Sequence, residues 1–311
     1  MTYPTIPRLV GVAGGGRMGA GIAQAFATGG ARVVIAEPGD RAAVQHRINA
    51  GLAAAAQRNI LDDRQIDEIS ERVRTVDRVD ELPEDADLVI EAVPEDAALK
   101  VAVLTVLADH VGEDTVIASN TSSLSIAELG AALRDSSRFL GMHFFNPVPA
   151  SALVEIVRAP ATRADVIEST CTWTAALGKA AIVVNDFPGF ATSRLGVCLG
   201  LEAIRMLEAG VADAESIDRA MELGYRHAMG PLRSTDLVGL DVRLAIAEHL
   251  AATLGPRFEP PQLLRDKVAR GELGRKSGSG FYPWPDNTAG PNTAGPSTTA
   301  ESVTARKETS A

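Results

Sequence analysis

Through roughly the first three-fifths of this chain, short apolar runs alternate with longer stretches of helical periodicity; after that the short runs stop. Residues 9–13, 32–36, 87–93, 115–119, 139–144, 153–157 and 180–184 are compact apolar segments, which predict buried strands. Helical patterns fall between most of them, at 20–28, 40–58, 62–73, 97–110 and 163–177. Strands alternating with helices predict a doubly wound sheet of mostly parallel strands. Beyond Asn185-Asp186-Phe187-Pro188-Gly189 only helices are predicted, over 190–209, 213–223, 236–254 and 260–269. The expected division is therefore an α/β unit at 1–186, a helical unit at 187–284 and a tail at 285–311. The tail repeats Asn-Thr-Ala-Gly-Pro amid Thr, Ser, Gly and Ala, a composition that predicts disorder.

Composition narrows the partners. A net charge of −10 argues against nucleic acid or a polybasic membrane contact, so any anionic ligand must be held by local donors. No apolar run approaches the length of a membrane span, and no basic stretch followed by an apolar core marks a secretory signal. The two cysteines, Cys171 and Cys198, lack metal-ligand spacing and read as packing residues. A reducing, cytoplasmic setting is expected.

Candidate chemistry begins at the first strand. Residues 9–13 run into Gly14-Gly15-Gly16-Arg17-Met18-Gly19, which opens a helix inside a strand–helix–strand unit. In that context the spacing predicts a dinucleotide site on a Rossmann-type sheet. Gly14 permits the turn, Gly16 lets backbone amides approach a pyrophosphate, and Gly19 lets helix and strand pack closely. The helix N-terminus supplies free N–H groups and a partial positive charge. Glu37 ends the second strand, where a carboxylate accepts from ribose hydroxyls and repels a 2′-phosphate; NAD is favoured over NADP, with Arg41 close enough to soften the preference.

A second constellation follows later strands: Ser119-Asn120-Thr121-Ser122-Ser123-Leu124, His143-Phe144-Phe145-Asn146-Pro147, and Glu155 within Leu153-Val154-Glu155-Ile156-Val157. Hydroxyl, imidazole and carboxylate from successive strand ends are expected to meet at one edge of the sheet. Oxidising an alcohol needs a base near neutral pKa, which suits His143; a carboxylate such as Glu155 would fix its tautomer and balance the imidazolium, and Ser122 would donate to the substrate oxygen.

With these motifs in place, the chain resembles the 3-hydroxyacyl-CoA dehydrogenase family, near its single-function 3-hydroxybutyryl-CoA members, from about Arg8 to Tyr282. Besides the segments above, the resemblance is carried by Pro188-Gly189-Phe190, Met229-Gly230-Pro231, Asp236-Leu237-Val238-Gly239-Leu240-Asp241 and Lys276-Ser277-Gly278-Ser279-Gly280-Phe281-Tyr282. It implies an α/β fold with an N-terminal Rossmann-type doubly wound sheet and an all-α C-terminal domain, NAD as cofactor, and NAD-dependent interconversion of an (S)-3-hydroxyacyl thioester and its 3-oxoacyl thioester. It implies His143 as base, Glu155 as its partner and Ser122 as a substrate contact. Gly14, Gly15, Gly16, Arg17, Met18, Gly19, Glu37, Asn120 and Ser122 would line the cofactor, together with Glu95, Lys100, Asn146 and Lys276. Without the resemblance, Glu95, Lys100 and Lys276 read as solvated surface charges. A homodimer formed through the helical domain is also implied.

Two departures bear on substrate. Ser193 stands where the family has a substrate-binding asparagine, leaving three outcomes open: altered acyl preference, a tolerated change, or weakened turnover. In the helix that grips the CoA nucleotide, Gly51-Leu52-Ala53-Ala54-Ala55-Ala56-Gln57-Arg58 retains charge only at Arg58. The thinner grip admits either acyl-CoA or an acyl group on a carrier protein. A third reading, an NAD(H)-binding structural or sensor protein with weak activity, rests on Ser193 alone.

Overall fold

The structure is a computed structural model that describes residues 5–285; most of the predicted tail lies outside the described residues. Eight strands form one sheet: β1 (Leu9–Ala13), β2 (Arg32–Ala36), β3 (Val73–Val76), β4 (Leu88–Glu91), β5 (Val116–Ser119), β6 (Phe139–Phe144), β7 (Leu153–Arg158) and β8 (Ala180–Asn185). Six helices are interleaved with them: α1 (Arg17–Thr28), α2 (Arg41–Gln57), α3 (Asp63–Glu71), α4 (Ala97–His110), α5 (Ile126–Gly130) and α6 (Ala164–Ala176). The helical part comprises α7 (Thr192–Glu208), α8 (Ala214–Tyr225), α9 (Pro231–Val238), α10 (Leu240–Leu254) and α11 (Gln262–Ala269).

Strand order is β3-β2-β1-β4-β5-β6-β7-β8, so the chain winds outward from β1 in both directions. Strands β1, β4 and β5 are buried along their whole length, which is why they read as unbroken apolar runs rather than alternating ones. One apolar cluster, including Val10, Val12, Phe26, Ile48 and Phe144, covers one face of the sheet. Another, including Ala13, Val89, Leu104, Ile117 and Phe139, covers the other. A third, around Val197, Leu201, Leu232, Leu250 and Leu264, is the core of the helical part.

Three expectations change. The segment expected to stay helical through Val73 ends at Glu71, and Val73–Val76 forms the parallel edge strand beside β2. Its residues are only partly covered, so the apolar signal was weak. The helix expected over 236–254 is two helices, α9 and α10, divided at Gly239, whose φ of 104° no helix interior accommodates. Finally, β6 and β7 are antiparallel, with His143 directly opposite Glu155. The carboxylate therefore comes from the start of a reversed strand, not from the end of another parallel one. Only residues 145–152 connect the two strands, too few for the crossover a parallel pair requires.

Candidate active site

Backbone geometry at the glycine turn fits a dinucleotide. Gly14 has φ 103°, and a Cβ on Gly19 would lie 1.8 Å from the Gly14 carbonyl oxygen, so the turn excludes side chains at both positions. By contrast, a Cβ on Gly16 would meet nothing within 4 Å, leaving open space beside the start of α1. No side chain caps that helix, so its first amides remain available to phosphate oxygens. Arg17 is exposed and Met18 half-buried at the same turn. Glu37 reaches back to the turn, its Oε2 accepting from Gly15 N at 2.8 Å and its Oε1 from Gly39 N at 3.0 Å. Arg47 of α2, unmarked by any motif, donates to the Gly15 carbonyl at 3.2 Å. Arg41 pairs instead with Asp77, at 3.0 Å.

An ionic web runs from the buried Glu91 and Lys100 at the end of β4 to the exposed Glu95. Lys100 is fully buried, which corrects its reading as a solvated charge; its Nζ lies 2.7 Å from Glu91 Oε1 and 3.3 Å from Glu95 Oε2. Glu91 also accepts from Val93 N at 2.8 Å and from the Ser119 hydroxyl. Sequence reasoning passed over Glu91 because it closes the apolar run Leu88-Val89-Ile90. An acid at the end of a fully buried strand was the available signal. Glu95 Oε1 accepts from Thr121 Oγ1 at 2.6 Å, Ser122 N at 2.9 Å and Ser122 Oγ at 3.2 Å. Burial works to raise the Glu95 carboxyl, but the Lys100 charge and these hydrogen bonds outweigh it and hold the group below its ordinary value. Asn120 Oδ1 accepts from Phe144 N at 2.9 Å and so joins the serine loop to the histidine strand.

His143 and Glu155 are the buried pair at the centre. Nδ1 of the imidazole lies 2.7 Å from Glu155 Oε2. The same oxygen accepts from the Thr192 hydroxyl, and Oε1 accepts from Ala191 N at 3.0 Å and Thr192 N at 2.9 Å. Four donors thus converge on one carboxylate. An ionised carboxylate only accepts, so His143 Nδ1 must carry a hydrogen, and Nε2 is the ring nitrogen left to exchange a proton with a substrate. Phe145 and Phe190 flank the ring, with centroids 4.4 and 6.0 Å away. Lys179 steadies the loop after His143, donating to the carbonyls of Val148 at 2.7 Å and Ser151 at 2.5 Å.

Remaining candidates are more dispersed. Asn146 is exposed on the loop after His143. Ser193 is half-buried in the first turn of α7, beside the Glu155 contacts. Arg58 is exposed at the C-terminal end of α2. Lys276 pairs with Asp241 at 2.6 Å, beside the start of α10.

Burial of Glu155 tends to raise its carboxyl, but the bonds from His143 and Thr192 prevail and hold it below its ordinary 4.5. Stabilisation from the ionised form is complete above that value and is lost as pH falls through the lower folded value. Melting temperature should therefore drop below about pH 4.5, and drop less steeply in Glu155→Gln, whose side chain does not titrate. Thermal melts from neutral to acid pH check this, and parallel slopes for the two proteins would exclude Glu155 as the titrating tie.

Comparisons with known proteins identify the family. The family model for the 3-hydroxyacyl-CoA dehydrogenase NAD-binding domain matches residues 9–187, and the model for the C-terminal domain of the same family matches residues 189–284. A probable 3-hydroxybutyryl-CoA dehydrogenase from Bacillus subtilis is 40% identical over 281 residues, covering 89% of this chain and 98% of its own. A 3-hydroxybutyryl-CoA dehydrogenase from Mycobacterium tuberculosis is 41% identical over 285 residues, covering 88% and 98%. The crystal structure of (S)-3-hydroxybutyryl-CoA dehydrogenase PaaH1 from Ralstonia eutropha superposes with a TM-score of 0.84 at 40% identity, covering 89% of this chain and 99% of that one. With both domains matched along nearly their whole length, the chain belongs to the 3-hydroxyacyl-CoA dehydrogenase family and is an NAD-dependent 3-hydroxyacyl-CoA dehydrogenase.

Proposed function

We propose that His143 is the general base and acid of this dehydrogenase, acting on the 3-hydroxyl of an (S)-3-hydroxyacyl thioester. The observation that carries this reading is the saturated Glu155 carboxylate, which engages Nδ1 of the buried imidazole and leaves Nε2 for proton exchange. The glycine turn and Glu37 hold NAD, whose nicotinamide supplies the hydride acceptor when bound. In oxidation His143 Nε2 takes the hydroxyl proton, and Glu155 stabilises the imidazolium that results. In reduction the same nitrogen returns the proton to the carbonyl oxygen. Ser122, Asn146 and Ser193 orient the thioester, while Glu95 and Lys100, with Asn120, shape the nicotinamide end; Lys276 approaches from the helical side. The (S) configuration is supported by the relative from Ralstonia eutropha, which is an (S)-3-hydroxybutyryl-CoA dehydrogenase.

A positioned acid–base group contributes about 10²–10⁴-fold, so His143→Ala is expected to lower turnover with acetoacetyl-CoA and NADH by about that factor. NADH binding, followed by fluorescence, should persist. Turnover near that of the parent would remove the histidine from the chemistry.

The family's thioester is carried on CoA, and we further propose that Arg58 contacts its nucleotide. Two readings remain separable, because a carrier-protein arm lacks the adenosine 3′-phosphate. Arg58→Ala should raise KM for acetoacetyl-CoA several-fold and leave KM for acetoacetyl-pantetheine unchanged. Equal values for both thioesters in the parent protein would favour the carrier.

The helical part also supports a homodimer. Leu195, Leu199, Leu223 and Tyr225 are exposed there, from 42% to 75%. Sedimentation is expected to give twice the chain mass of 32.6 kDa; a monomer at micromolar concentration would overturn the assignment. A reducing, cytoplasmic setting belongs to the same proposal. Among the described residues, no helix is long and apolar enough to cross a membrane.

A further inference from the structure

Arg243 of α10 is 5% exposed, and its Nε has no hydrogen-bond partner. Other buried charges in the described residues are provided for. Glu91 meets Lys100, Arg138 donates to the Ala108 carbonyl, Lys179 donates to Val148, and Asp218 and Asp236 accept from the backbone amides of Leu232 and Phe281. Burial pushes the Arg243 guanidinium down to about 10, with no neighbouring charge opposing it, so it remains protonated at neutral pH. A buried cation without a counter-charge is costly, and such a group calls for an anion from elsewhere.

The direction of the side chain says where that anion would lie. A Cβ built on Gly200 of α7 would stand 3.9 Å from Arg243 Cδ and 3.7 Å from Nε, whereas one on Gly196 would stand 3.2 Å from Nη1. The guanidinium therefore runs from Gly200 toward Gly196, toward the N-terminus of α7. That terminus carries the Thr192 groups bonded to Glu155. Ser193, Gly196 and Gly200 are spaced i, i+3, i+7 and share one face of α7. Apart from Nη1, no atom outside the neighbouring residues and the backbone of α7 would come within 4 Å of the Gly196 Cβ, so Gly196 leaves the guanidinium uncovered on that side. One helical turn, about 5 Å, separates Gly196 from Ser193.

We propose that Arg243 is a specificity residue that binds a carboxylate at the far end of the acyl chain, making the preferred substrate a 3-hydroxyacyl thioester of a dicarboxylic acid. The proposal rests on the assignment of the reacting centre to His143. A hydroxyacyl group held at His143 would extend past Ser193 along this face of small residues. Its terminal carboxylate would then supply the charge the guanidinium lacks. Serine at 193 and glycine at 196 keep side-chain bulk off that path, Gly200 being packed against Thr235 and the Arg243 stem, and Arg243 closes it.

The test compares reduction by NADH of 3-oxoadipyl-CoA with that of 3-oxohexanoyl-CoA, which has the same chain length and no terminal charge. Charge-assisted hydrogen bonds to a buried carboxylate predict a kcat/KM ratio of about 10–100 in favour of 3-oxoadipyl-CoA. The ratio should fall toward one in Arg243→Met and take an intermediate value in Arg243→Lys, which keeps the charge and loses the fork. The lysine variant serves if the methionine variant fails to fold. A ratio near one in the parent protein overturns the proposal. So does a loss shared equally by both substrates in a folded variant, or a dimer that dissociates while the ratio stands, which would assign Arg243 to a second subunit. Absence of turnover with either thioester, and with acetoacetyl-CoA, would instead strike the assignment of the reacting centre.

Discussion

One buried carboxylate joins the two halves of this molecule. Glu155 stands at the beginning of β7, faces His143 across an antiparallel pair, and receives the first backbone amides of α7. Burying an ionised carboxylate alone would be prohibitive; four donors and the partial positive charge of a helix N-terminus offset that cost. The same contacts fix the imidazole tautomer and the seating of the helical part on the sheet. The geometry of the His143–Glu155 pair and the geometry of the two domains are therefore a single constraint. A shift of α7 that broke the Ala191 and Thr192 bonds would leave Glu155 under-satisfied and His143 without its anchor.

The second constraint is the Lys100 web. Glu91 is buried where β4 ends, and Lys100 neutralises it from α4 while reaching Glu95. Glu95 in turn holds the Thr121 and Ser122 hydroxyls and the Ser122 amide. The loop that presents Ser122 is thus fixed by charge from beneath rather than by packing alone. Removing Lys100 would leave Glu91 buried and unpaired, a loss of about 3–5 kcal/mol. That is a large fraction of the stability of an ordinary domain.

Much of this was legible in the chain. The glycine turn could be read because Gly14 and Gly19 answer purely backbone demands, which leave few alternatives in sequence. His143 and Glu155 could be read as partners in chemistry, yet not as cross-strand neighbours. The direction of β7 is set by a short connection whose meaning emerges only once both strands are recognised. Lys100 and Glu91 stayed hidden because charge in a sequence implies solvent, and only tertiary contact shows that two opposite charges have been buried together. Val73–Val76 was missed for a different reason. An edge strand that is half covered carries little of the apolar pattern on which strand prediction depends.

The treatment of buried charge also separates scaffold from specificity. Where a charge serves the architecture, the chain supplies its partners from within: amides for Asp218 and Asp236, carbonyls for Arg138 and Lys179, a carboxylate for Lys100. These groups are satisfied whether or not anything is bound. Arg243 lies in the same interior without such provision. Thr174 Oγ1 and Asp241 Oδ1 also lack a hydrogen bond, but the first is neutral and Asp241 pairs with Lys276; the unmet charge beside the first turns of α7 points outward, to a group the folded chain does not contain. The cost of keeping it there falls on the free protein and is recovered only when an anion arrives, which is how a binding site trades stability for discrimination.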